Sequence, residues 1–171
     1  MEEAINAQIN AELWSAYLYL SMSSHFAREA NPGFANWFLV QFKEEQDHAM
    51  KFINYLIARG NKVELKAIDK VQVSWKSQLE AFEDTLKHEK VVTSLINNLV
   101  KIAREENDYA TEAMLQWYIN EQVEEEENAQ TIIDNLKMIK DSGLGIYMLD
   151  KELAARVYVP LVTTSGNVAA V

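Results

Sequence analysis

Residues 34–56 read FANWFLVQFKEEQDHAMKFINYL. Phe34, Phe38, Gln41, Glu45, His48, Phe52 and Tyr55 recur at steps of three and four. That spacing places them on one face of an α-helix. The face is apolar at both ends and should be buried. Its middle carries a carboxylate and an imidazole one turn apart. Glu45-x-x-His48 occurs once in the chain. Alone it could be an ordinary i,i+3 hydrogen bond, or the two side chains could jointly chelate a cation.

Three further stripes repeat the anomaly. The first runs Ile5, Ile9, Glu12, Ala16, Tyr19, Ser23, Phe26. Another runs Leu79, Phe82, Leu86, Glu89, Thr93, Ile96, Val100. The last runs Leu115, Tyr118, Gln122, Glu125, Ala129, Ile132, Leu136, Ile139. Each is interrupted near its centre by glutamate. An unpaired buried charge is very costly, so something cationic is expected between them.

The chain has 171 residues and 49% hydrophobic side chains, enough for one domain with a real core. Five glycines and two prolines are few for an all-β protein of this length. Cysteine is absent, which excludes disulfides, thiolate zinc sites and iron–sulfur ligation. The formal charge of −10 argues against a nucleic-acid partner and favours cations. No uncharged apolar run reaches the roughly 18 residues that span a bilayer, so no membrane role is expected. The acidic start MEEAINAQIN does not resemble a secretory signal, and a cytoplasmic location is the default expectation.

The fold class expected is all-α. A first helix over about residues 2–29 ends at Asn31-Pro32-Gly33. A second covers about 34–59, with Gly60-Asn61 suited to its C-terminal cap. Residues 61–76 lack a helical stripe and should pack on the bundle surface. A third helix covers about 77–105. A fourth, capped by Asn107-Asp108, extends to about Lys140. Ser142-Gly143-Leu144-Gly145 should break it before a short fifth helix over about Ile146–Arg156. This divides the chain into a domain over 1–156 and an uncharged tail over 157–171, for which no structure is assigned. Tight turns make the first and second helices antiparallel, and likewise the third and fourth. The connection of about 16 residues can reach roughly 55 Å, more than the roughly 39 Å length of a 26-residue helix. One long crossover between the second and third helices is therefore expected. Counted from the turns, Glu12, Glu45, His48, Glu89, Gln122 and Glu125 then fall in one layer roughly 8 Å thick.

Glu12, Glu45, Glu89 and Glu125 supply four negative charges, which two divalent cations neutralise. Oxygen donors with one imidazole suit Fe(II), Mn(II) or Zn(II). Glu121, Glu124 and Glu125 share a helical face at i, i+3 and i+4. They form either a solvated acidic face or a further cation site.

The residues Asn10-Ala11-Glu12-Leu13 with Tyr19, Glu44-Glu45-x-x-His48, Lys87-His88-Glu89, and Gln116-Trp117-Tyr118-Ile119-Asn120-Glu121-Gln122-Val123-Glu124-Glu125-Glu126 resemble the ferritins, most of all the bacterial non-haem ferritins. The likeness runs from about residue 2 to 155. The general di-iron scheme of ferritin-like bundles has a Glu-x-x-His on each of two helices. Here Gln122-x-x-Glu125 replaces the second, as in iron-storing ferritins. The resemblance implies a four-helix bundle with a ferroxidase centre. Glu12, Glu45 and His48 would ligate one iron, with Glu45 bridging. Glu89 and Glu125 would ligate the second, with Gln122 beside it. Tyr19 and Trp117 would lie next to the pair, Tyr19 as a redox partner or as a hydrogen-bonded core residue. A third iron site would use Glu44, Glu121, Glu124 and Glu125. The implied activity is oxidation of Fe(II) to Fe(III) by O2 or H2O2, with ferric mineral deposited inside a homo-oligomeric shell of twenty-four subunits. Glu112 aligns with an acidic residue of an iron-entry channel, whereas Leu115 departs from that channel pattern.

Haem is not expected, because Gln46 and Asp47 fill the interval in which bacterioferritins place a methionine. A rubrerythrin-like peroxidase would need cysteine ligands. A DNA-protecting mini-ferritin often has a basic tail. A di-iron oxygenase would want a second Glu-x-x-His and a substrate cavity. A metal-free helical scaffold would carry the buried carboxylates at a cost and without return.

Overall fold

A computed structural model describes residues 1–140 and 142–161. Among them are five helices and no strands: α1 (Glu2–Arg28), α2 (Pro32–Ala58), α3 (Gln78–Glu105), α4 (Tyr109–Ile139) and α5 (Gly143–Leu153). The ends of α1 to α4 agree with the sequence reading to within about two residues. Helix α2 starts earlier than expected, because Pro32 occupies the first turn, where a missing N–H costs nothing. Ser77 caps α3 by accepting from Glu80 N at 3.1 Å. Asp108 caps α4 by accepting from Thr111 N at 3.2 Å. Gly60, at φ +73, closes α2 in a left-handed conformation that costs glycine little.

The fifth helix departs from expectation. It begins at Gly143 and ends at Leu153. The Ser142 hydroxyl accepts from Gly145 N at 3.2 Å, so the supposed breaker is an N-cap followed by the first helical turn.

Hydrogen bonds fix the topology. The Met1 amino group pairs with Glu106 at 2.9 Å, setting the start of α1 beside the α3–α4 turn. Arg59 pairs with Asp108 at 3.0 Å, bringing the end of α2 to the same place. From there residues 61–76 run the length of α1. Asn6 holds Lys62 O at 2.9 Å and Glu64 N at 2.7 Å. Further along, Ser21 donates to Gln72 O at 2.7 Å. At the far end, Gln78 reaches Asn31 at 3.4 Å. Helix α3 thus starts at the α1–α2 turn and runs parallel to α2, as one long crossover requires. Val71 and Trp75 anchor the crossover by burial.

Two apolar clusters fill the bundle. One, at the α1–α2 turn, gathers Phe26, Phe34, Phe38, Phe82, Ile133 and Leu149. The other, at the α3–α4 turn, gathers Ile9, Phe52, Leu56, Ile96, Leu115 and Tyr118. Every side chain of the polar layer has neighbours in sequence on both sides in these clusters.

Helix α5 closes the first end. Asp150 Oδ1 accepts from Gly33 N at 2.7 Å and Phe34 N at 3.0 Å, satisfying free amides at the start of α2. The backbones approach so closely that a Cβ on Gly33 would lie 1.6 Å from Asp150 O. Gly33→Ala is therefore expected to displace α5 and to cost about 2–3 kcal/mol, in the range of overpacked cores. A urea melt of the variant checks this. After α5 the chain turns back along α2, where Asn36 Nδ2 donates to Leu153 O at 3.2 Å and to Arg156 O at 2.9 Å. Of the tail over 157–171, residues 157–161 continue this path, and residues 162–171 lie outside the described residues.

Candidate metal centre

The four glutamates of the interrupted stripes are all buried. Glu12 and Glu89 are 1% exposed, Glu45 2% and Glu125 4%. His48 and Gln122 are buried with them. The helical period that aims the flanking Ile9, Phe52, Ile96 and Ala129 into the core aims these side chains there too.

Two groups of ligand atoms come together. Glu12, Glu45 and His48 form one, and His48, Glu121 and Glu125 the other, with the atoms of each group within 4.8 Å of one another. The shared histidine sets the groups side by side. Glu45 Oε2 faces His48 Nδ1 at 3.5 Å and has no hydrogen-bond partner although it is buried. An orphaned carboxylate oxygen in a buried layer is a position where a cation would fit.

Glu89 joins neither group. It accepts from the Tyr19 hydroxyl through Oε1 and from Gln122 Nε2, at 3.1 Å, through Oε2. Gln122 also donates to Glu89 O at 3.2 Å. Gln122 thus holds Glu89 by its amide. Tyr19 is fully buried beside Phe38 and is oriented by Glu89. The Trp117 ring lies 5.3 Å from that of His48, and Lys51 Nζ sits 4.0 Å from the Trp117 ring centroid.

Electrostatics agree with crowding of like charges. Burial, and then the Glu45 carboxylate, push the Glu12 carboxyl well above its ordinary value. Burial, then Glu89 and Glu125, do the same to Glu45. Burial and Glu89 raise Glu125 to about 8. Burial and Glu89 also raise the Tyr19 phenol. Glu125, at about 8, holds its proton near neutral pH until a cation takes the proton's place.

Two glutamines also hold the glutamates of this layer: Gln41, which lies on the buried stripe of α2, and Gln8, which none of the stripes includes. Gln41 Nε2 donates to Glu125 Oε2 at 2.7 Å, and Gln8 Nε2 donates to Glu12 Oε1 at 2.9 Å. Both are buried. Gln8 stands four residues before Glu12 and Gln41 four before Glu45, and this repeated i,i+4 glutamine is the signal that could have found them. Gln41→Leu is expected to leave the fold intact and to weaken cation binding at Glu125 roughly 10-fold, as loss of an orienting partner does. Calorimetric Zn(II) titration reads it.

The outer acidic residues are arranged differently. Glu121 is half-buried, with Oε1 3.8 Å from His48 Nε2. Glu124 is exposed. Glu44 is half-buried and raised by burial, although Arg156 pulls it down. Glu124 acts electrostatically on both Glu44 and Glu121, so the three share one neighbourhood. Glu112 pairs with Arg104 at 2.7 Å, and Leu115 is fully buried in the core.

Among the described residues no helix is long and apolar enough to cross a membrane. Residues 2–139 match the family described as Ferritin-like domain. A bacterial non-heme ferritin of Bacteroides fragilis (strain 638R) is 44% identical over 156 residues, covering 91% of this chain and 97% of that protein. A bacterial non-heme ferritin of Staphylococcus aureus (strain USA300) is 41% identical, over 91% of this chain and 94% of that one. Among solved structures, an open pore ferritin from Archaeoglobus fulgidus superposes with a TM-score of 0.91 at 47% identity, over 92% of this chain and 97% of its own. With a buried layer of carboxylates and one histidine at the centre of this bundle, and such likeness along nearly its whole described length, the chain belongs to the ferritin family of iron-storage proteins.

Proposed function

We propose that this protein is a ferroxidase that stores iron. It oxidises Fe(II) with O2 or H2O2 at a paired site inside each bundle and passes ferric ions to a mineral held in a shell, by family likeness one of twenty-four identical subunits. The observation that carries this reading is the convergence of Glu12, Glu45, Glu125 and His48 on shared positions in a buried layer, with Glu89 beside them.

The chemistry follows from the donors. Iron is the substrate here. Two Fe(II) ions bound side by side can together supply two electrons to O2, giving two Fe(III) and, with two protons, H2O2. No one-electron radical need escape. Glu12 and His48 would hold one ion, Glu125 the other, and Glu45 would lie between them. Glu89 would swing from Tyr19 and Gln122, or bind while still held by them, to complete the second position. Carboxylates are hard donors and suit both oxidation states. A set with one imidazole retains iron loosely, as a substrate that must leave requires. Glu121, Glu124 and Glu44 line the outward side of His48 and would form a third cation position on the way out.

The test is a stopped-flow and oxygen-electrode experiment. Anaerobic protein is given two Fe(II) per subunit and then O2. Rapid uptake near one O2 per two Fe(II), followed by electron-dense cores in micrographs of protein loaded further, is expected. Slow oxidation at the rate of free Fe(II) would refute the reading.

A further inference from the structure

Two acidic side chains outside the buried layer, Glu44 and Asp47, face the segment that follows α5. After α5, residues 154–161 lie along α2 as a strap. Arg156 is the strap's centre. Its Nη2 donates to Glu44 Oε2 at 2.6 Å, its Nη1 to Trp37 O at 3.4 Å, and its guanidinium lies 4.8 Å over the Trp37 ring. Beyond it, the Tyr158 hydroxyl donates to Asp47 Oδ2 at 2.7 Å and Leu161 N donates to the same oxygen at 3.0 Å. Lys43 Nζ covers the Tyr158 ring at 5.3 Å. The strap is therefore tied to Asp47, one residue before His48.

These contacts set a conflict. Glu44 has one negative charge, and in this arrangement Arg156 neutralises it. Arg156 and Glu44 are each only about a quarter exposed, so water screens the pair incompletely (23% and 25%). A cation arriving among Glu44, Glu121 and Glu124 would meet a guanidinium already bound to one of its three carboxylates. It would also suffer that positive charge at close range. Asp47, drawn by the tyrosine and the Leu161 amide, ties the rest of the strap to the same turn of α2.

We propose that Arg156 is a built-in competitor for the outer cation position, so that docking of the strap over 154–161 and occupation of the Glu44–Glu121–Glu124 cluster oppose one another. The proposal rests on the reading of that cluster as a third iron position and adds to it a means of control. With the strap docked, Glu44 is engaged and iron is confined to the buried pair. When ferric or ferrous ions accumulate outward, they displace Arg156 and the strap leaves α2. By linkage the effect is reciprocal: whatever holds the strap down lowers outer-site affinity by the same factor by which the outer cation loosens the strap.

The experiment is Zn(II) titration calorimetry on the assembled protein, comparing wild type with Arg156→Gln and with a chain ending at Ala155. Zn(II) is redox-inert, so binding is read without oxidation. The first two equivalents per subunit should bind alike in all three. The third should tighten on the order of tenfold in both variants, the scale of a partly screened unit charge at close range. In Glu44→Gln, adding Arg156→Gln should change nothing further, as a double-mutant cycle requires. Hydrogen exchange supplies the reciprocal readout: the Leu161 amide should exchange faster once Zn(II) exceeds two equivalents. A third equivalent of unchanged affinity in both variants, or none in any of them, overturns the proposal, as does exchange at Leu161 indifferent to metal. Failure of the first two equivalents to bind would instead overturn the function proposed above.

Discussion

Glu45→Gln is expected to abolish rapid Fe(II) oxidation while making the metal-free protein more stable. The two effects have one cause. Glu45 is 2% exposed, and Glu89 and Glu125 raise its carboxyl after burial has done so. In the absence of cations its ionisation is opposed from two sides. The amide of glutamine has nearly the same shape and no charge, so the repulsion disappears. A buried carboxylate crowded by like charges is costly to ionise, so a neutral isostere is expected to be favourable in the metal-free protein. For iron the consequence is reversed. Residues that only orient a ligand typically account for roughly 10–100-fold in affinity or activity, so loss of the carboxylate lying between two ions should cost more than about 100-fold. Stopped-flow oxidation and a chemical melt of chelated protein read the two arms. Loss of activity with loss of stability would mean that Glu45 serves the fold. Activity within a few-fold of wild type would remove it from the site.

The second large effect is on pH. A carboxyl held above its ordinary value in the native state keeps a proton that the unfolded chain has already released. Stability then falls as pH rises toward the native value, because the native state binds more protons than the unfolded one. Glu125 is raised from 4.5 to about 8, and Glu12 and Glu45 are raised as well. His88, lowered by burial from 6.5, acts in the opposite sense below that pH. Asp108, lowered chiefly by its Thr111 hydrogen bond, does so only in acid, below 3.8. The clean window is therefore about pH 6.5 to 8. Across it, the proton held by Glu125 is worth about 2 kcal/mol, at roughly 1.4 kcal/mol per pH unit. Metal-free protein should be less stable at about pH 8 than at about pH 6.5, and two equivalents of Zn(II) per subunit should reverse the trend. Differential scanning calorimetry with and without chelator measures both. Stability that rises with pH in chelated protein would show the carboxylates to be already ionised or solvated.

The helical period carried most of the fold. Apolar residues at steps of three and four identify α1 to α4, and the same steps place Glu12, Glu45, Glu89 and Glu125 inside. Loop length sufficed for the crossover, because a connection that simply turned back would be much shorter than about 16 residues. Periodicity assigns a face and says nothing of rotamers or partners. Hence Glu89 could be placed in the layer, but its hold by Tyr19 and Gln122 could not be foreseen. Gln41 falls on the buried stripe and Gln8 reads as one polar residue among many, but no pattern shows that their amides hold Glu125 and Glu12. The start of α5 turned on a serine cap next to two glycines that look like a break. The contacts of Asp150 with Gly33 and of Arg156 with Glu44 join positions more than a hundred residues apart, and no local pattern announces them.

Crystals soaked anaerobically with Fe(II) and measured on both sides of the iron absorption edge test the central claim most directly. The account predicts two anomalous peaks inside each bundle, roughly 3.5–4 Å apart as in other paired-metal sites, one against Glu12 and His48 and the other against Glu125, with Glu45 between. Iron found only on surface carboxylates, with the buried layer empty, would contradict it.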